Sequence, residues 1–146
     1  MLYTEDLKIQ IVKKLRSKGF QVGARDEHQQ VTYPYIELEV ESDNPSDSKQ
    51  RCFNSITMVV EIVANGKDEL SSKVNDVQQG VMRVLTPLTV GEGTDEEVTA
   101  SQYKGDEHYI EFGGFDTIVY IEEDDENFNI FRRRIPCNYI VQSNNF

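Results

Sequence analysis

One segment, residues 51–64, restricts the possible folds more than any other. Ile56, Met58, Val60 and Ile62 alternate onto one face, and Thr57, Val59, Glu61 and Val63 onto the other. Period-two alternation means a strand. Two valines on the second face mean that this face is also partly covered. The segment is therefore expected to be a central strand, flanked by others and packed on at least one side. Asn65-Gly66 ends it.

The neighbouring segments supply what such a strand needs. Upstream, Ile36, Leu38 and Val40 alternate with Glu37, Glu39 and Glu41 in residues 33–41, a strand with one face in the core and one in water. Pro34 confines that end to an edge or a strand start. Residues 42–50 read as a polar loop. Downstream, Leu70, Val74, Val77, Val81 and Leu85 form an apolar stripe at helical spacing, predicting a helix over residues 67–86 that Pro87 closes. The first helix is expected from Thr4 as N-cap, with Glu5 and Asp6 in the first turn. Leu7, Ile11 and Leu15 make its stripe, Lys13, Lys14, Arg16 and Lys18 load its end, and Gly19 terminates it. A short extended piece at Phe20 and Val22 follows. Toward the C-terminus, weak strand tendency lies over residues 98–103. Gly113-Gly114 marks a bend or bulge. A strand over residues 115–121, an acidic turn over 122–127 and a last strand over 128–141 read as a hairpin. The predicted architecture is α+β: a mostly antiparallel sheet of four to six strands with two helices packed on one face, in a single domain spanning residues 1–146.

The chain has 146 residues, enough for one sizeable core, and a net charge of −11. The charge is unevenly placed. Residues 91–126 hold thirteen carboxylates and one base, Lys104, a formal −12, while everything else sums to +1. A region of that sign repels phosphate backbones. No run approaches the roughly 18 apolar residues of a membrane span. The acidic start, Met1 to Asp6, lacks the pattern of a secretion signal, so a cytoplasmic compartment is expected. Cys52 and Cys137 are then expected to be free thiols.

The motifs capable of chemistry have simpler structural explanations. Glu122, Glu123, Asp124, Asp125 and Glu126 are adjacent, without the alternating spacing of a calcium loop, and read as a solvated hairpin tip. His28 and His108 sit in predicted loops, without the second nitrogen or sulfur ligand that zinc requires. No phosphate loop or nucleophile elbow occurs. No catalytic, cofactor or metal residues are therefore expected. Arg132, Arg133 and Arg134 are expected to pair with acids of their own hairpin or of a neighbouring subunit. The expected subunit contacts set Lys14, Arg16, Arg132, Arg133 and Arg134 against Glu122, Glu123, Asp124 and Asp125.

The order of elements carries a resemblance. A capped helix, the Tyr-Pro-Tyr-Ile-Glu-Leu strand of residues 33–40, the β-branched strand of 56–64 and the Leu70–Leu85 helix precede antiparallel strands. This succession resembles the tail terminator (tail completion) proteins of long-tailed bacteriophages, chiefly over residues 1–90. The resemblance implies a virion protein, assembled in the host bacterial cytoplasm and forming a ring, typically hexameric, that ends the tail tube and joins tail to head. It implies contacts with copies of itself, with the tail tube protein and with a head-completion or connector protein. DNA would pass through the lumen without specific binding, and neither membrane nor cofactor is involved. The alternative reading is a monomeric acidic cytoplasmic adaptor for a basic protein partner.

Overall fold

A computed structural model describes residues 2–25, 28–46, 53–66, 73–86, 102–104, 108–124 and 129–143. Helix α1 spans Tyr3–Ser17 and helix α2 Lys73–Leu85. The strands are β1 (Tyr35–Ser46), β2 (Phe53–Asn65), β3 (Gln102–Lys104), β4 (His108–Phe115), β5 (Val119–Asp124) and β6 (Asn129–Ser143). They form one six-stranded sheet in the order β1-β2-β6-β4-β3, with β5 also paired to β6. Every pairing between these strands is antiparallel. The fold is α+β, with both helices against one face of the sheet.

Strand β2 is central, as its two-sided apolar pattern requires. It pairs with β1 from Tyr35↔Val63 to Ser46↔Phe53 and with β6 from Phe53↔Gln142 to Asn65↔Ile130. On the helix side, Ile56, Met58, Val60 and Ile62 join Ile36, Ile110, Ile135, Cys137, Tyr139 and Val141 in one buried core. Leu7, Ile11 and Leu15 of α1 and Val74, Val81 and Leu85 of α2 close it from above. The stripes read from the sequence are therefore the buried ones, with Val77 partly buried; Leu70 and Pro87 lie outside the described residues.

Several boundaries differ from expectation. Helix α1 begins one residue before Thr4, because Glu5 reaches back to accept from the Leu2 N–H at 3.2 Å. Its end is a complete Schellman motif. Gly19 N–H donates to Arg16 O, Phe20 N–H donates to Leu15 O, and Gly19 has φ 88°. The Phe20 ring then lies on α2 at Gly80, where an added Cβ would fall 2.8 Å from Cζ, so the missing side chain lets the two helices approach. The expected polar loop after residue 41 starts later, since β1 continues through Asn44 and Pro45 to Ser46. Pro45 is tolerated there because β1 is an edge strand.

The expected continuous strand over 115–121 is broken. Strands β4 and β5 lie end to end along the same side of β6, with residues 116–118 between them. The break sits opposite Pro136. Its carbonyl accepts from Asp116 N–H at 3.0 Å, but it has no N–H to return. Glu122 to Asp124, expected in the turn, belong to β5. The ladder slips between Phe112 and Gly114, so Gly113-Gly114 is the expected bulge. Ile11→Ala, which removes a fully buried side chain from the α1 stripe, should cost about 2–5 kcal/mol by urea unfolding followed by circular dichroism.

Candidate functional site

The face of the sheet away from the helices carries the charged groups. Side chains paired across strands share a face, which sets two rows side by side. One row runs Tyr35, Val63, Arg132, Ile121; the next runs Glu37, Glu61, Arg134, Val119. Glu61 lies at the centre, 6% exposed. Its Oε1 accepts from Arg132 Nη1 and its Oε2 from Arg134 Nη1, both at 2.5 Å. Arg134 Nη2 also donates to Glu39 at 2.7 Å, and Arg132 Nε to Glu123 at 3.1 Å. Glu37 lies 3.9 Å from Arg132. The two arginines thereby tie four strands together. Hydrogen bonding to Glu61 raises the Arg132 pKa above its ordinary value, and hydrogen bonding to Glu39 does so for Arg134. Val59 and Val63 are buried on this face, beside the aliphatic stems of these long side chains.

Arg133 points the other way, as alternation demands. It is buried under α2, donating to Asn75 Oδ1 at 2.6 Å and Gln78 Oε1 at 2.9 Å, and its guanidinium sits 5.3 Å from the Tyr120 ring centre. All three arginines are thus engaged inside the subunit. Of the other expected contact residues, Glu122 is exposed on β5, Glu123 is exposed and bonded to Arg132, and Asp124 ends the strand. Asp125 lies outside the described residues. Arg16 is exposed at the end of α1, donating to Val22 O at 3.2 Å, and Lys14 is partly buried on the same helix.

A further buried polar cluster, absent from the expected sites, joins Asp6 to His108. Asp6 is wholly buried and accepts from the His108 main-chain N–H at 2.9 Å; the His108 Nδ1 lies 2.8 Å from the same oxygen. Gln10 donates to its other oxygen at 3.3 Å, and the Tyr3 ring stacks on His108 at 4.4 Å. His108, expected in a loop, opens β4 instead. A carboxylate–imidazole pair can relay a proton to a nucleophile, but this one also grips the His108 main chain, which makes it a clasp between α1 and β4. Tyr3, Asp6 and Gln10 follow helical spacing beside the leucine stripe, a signal in the sequence. Their partner, 102 residues beyond Asp6, carries none. His28 lies in an exposed turn. Among the described residues, no three or more His, Cys, Asp or Glu groups are placed to hold a metal ion.

Cys137 is a free, buried thiol, and burial pushes its pKa up to about 12. Cys52 lies outside the described residues. Burial, and secondarily Glu37, raises the Tyr35 pKa above its ordinary value. No helix of the described residues is long and apolar enough to cross a membrane. Comparison with protein-family models gives no match, and neither does comparison with curated proteins.

Glu61→Ala leaves two guanidinia facing each other without their shared carboxylate. It should cost about 3 kcal/mol in urea unfolding, toward the low end for a buried pair because both arginines keep a path to water. Glu39→Ala, on an exposed pair, should cost about 1 kcal/mol or less. Cys137 holds its proton more tightly in the native state than in the unfolded chain. Its contribution to stability is complete below the ordinary thiol value of 9.0 and is lost as pH rises toward about 12. Tyr35 acts in the same direction. Thermal midpoints should fall across that alkaline range, and at pH 8 iodoacetamide should spare Cys137 until denaturant is added, as read by peptide mass spectrometry.

Proposed function

We propose that this chain is a structural subunit that works by docking onto copies of itself, as a ring at the end of a bacteriophage tail tube where tail joins head. The observation that carries this reading is a sheet edge. Strand β5 leaves Val119, Tyr120 and Ile121 exposed in succession, followed by the exposed Glu122 and Glu123. An exposed apolar edge strand is a hazard for a solitary protein and a joint for an assembling one. The succession of elements resembling tail terminator proteins gives the assembly its proposed place.

The charge supports the same reading. A subunit of net charge −11 that lined a DNA channel would let the duplex pass without gripping it. Arg132, Arg133 and Arg134 are spent inside the subunit, so the proposed contacts between copies draw on Lys14 and Arg16 of α1 and on the acids of β5. A closed ring needs two different, complementary patches per copy. The proposed neighbours along the axis are the tail tube protein on one side and a head-completion or connector protein on the other, with the virion as the final location.

Purified protein should sediment as one discrete oligomer at low salt, shift toward smaller species at high salt, and show closed rings, six-fold by this reading, in negative stain. A strict monomer at high concentration in every salt would rule the ring out.

A further inference from the structure

The six residues of β5 hold the most exposed apolar cluster on the sheet. Val119 is 49%, Tyr120 62% and Ile121 37% exposed. Among the described residues, β5 pairs only with β6, and on its other side alternate residues turn their N–H and C=O groups outward. The row through Tyr120 crosses the whole sheet: Tyr120, Arg133, Ile62, Ile36 and finally Val22, which bridges to Ile36 in parallel. At that far end, Ile36 bonds to Gln21 O and Gly23 N, so the N–H and C=O of Val22 itself face away from the sheet. The Val22 carbonyl is met by Arg16. Arg16 and Lys18, within six residues of it in the chain, are exposed, as is Arg25, which donates to Gln29 O at 2.6 Å.

The two ends of one row therefore have opposite character. One end is the short stretch at Val22, flanked in the chain by exposed Arg16 and Lys18; beyond it the chain turns at Gly23, φ 103°, and residues 24–25 pair with 31–32. The other is an apolar strand running into three acids. Strand β1 cannot serve as the basic end below Ile36, because it carries Glu37, Glu39, Glu41 and Asp43. Two β5 strands paired antiparallel about Tyr120 would bring Asp116 opposite Asp124 and join two subunits of charge −11 with no base between them. The complementary occupant is the Val22 edge of another copy.

We propose that the Val119–Asp124 edge of one copy docks against the Val22 edge of the next, with Val119, Tyr120 and Ile121 around Val22 and Glu122 and Glu123 against Arg16 and Lys18. The contact is head-to-tail, so each copy offers one edge and consumes the other, and closure gives a ring. This rests on the ring reading and names its joint.

Two sets of variants of the full chain test it. Glu122→Lys and Arg16→Glu should each raise the concentration for half-assembly by about two- to fivefold, as expected for an exposed ion pair, while the double variant recovers. Thermal midpoints report folding separately. Val22→Cys combined with Tyr120→Cys should, under mild oxidation, give a ladder of covalent oligomers on a denaturing gel rather than a single dimer band. Rings that persist in negative stain with no ladder and no response to charge reversal would overturn this joint and leave the ring reading standing. A lone covalent dimer would point to β5 pairing with itself and overturn the joint. A protein that stays monomeric before any substitution would remove the ring reading and the joint with it.

Discussion

A carboxylate in the middle of a sheet must be neutralised where it stands. Glu61 occupies such a place, with β1 on one side, β6 on the other and valines above and below it on its face. Its desolvation is offset only if both oxygens find strong donors. Two arginines spaced by two on the neighbouring strand provide this, one to each oxygen. That requirement also pins the register: a one-residue slip of β6 would turn Arg132 and Arg134 into the core and bring Arg133 out alone. The pairing of β2 with β6, joined by chain ends far apart in sequence, is thus specified by charge on one face and by apolar packing on the other.

The local architecture could be read from the chain alone. The leucine stripe of α1, the valine stripe of α2, the two-sided pattern of β2 and the glycine bulge in β4 are all periodicities or turn chemistries, and each is found in place. What was not legible depended on partners distant in sequence. Asp6 looks like an ordinary first-turn acid until His108 closes on it from β4. Residues 42–46 have loop composition, but pairing with β2 draws them into a strand, and an edge position forgives their asparagine and proline. Pro136 breaks a strand on the other side of the ladder and leaves its own intact. The arginine run showed that a counter-charge must exist but could not say that most of it lies on β1 and β2.

The charge distribution acquires a different meaning in three dimensions. The most basic run of the sequence is consumed within the subunit, beside the acids of β1, β2 and β5. Exposed Arg16 and Lys18 flank Val22 in the chain, and the exposed Glu122 and Glu123 of β5 lie at the opposite edge. A chain of strongly negative net charge can therefore still present a local positive surface. Between copies, this local pairing of opposite charge matters more than the total, because screening limits interactions to about 10 Å at ordinary ionic strength.

The gap opposite Pro136 leaves β6 as the one strand that runs past both β4 and β5. Its second half is anchored in the core through Ile135, Cys137, Tyr139 and Val141, while its first half holds β5. The rim is divided at that proline. Strands β4 and β5 meet β6 in registers that differ by one residue, with Phe115 opposite Cys137 and Val119 opposite Arg134. A single imino acid thus lets one unbroken strand carry two rim strands in two different registers.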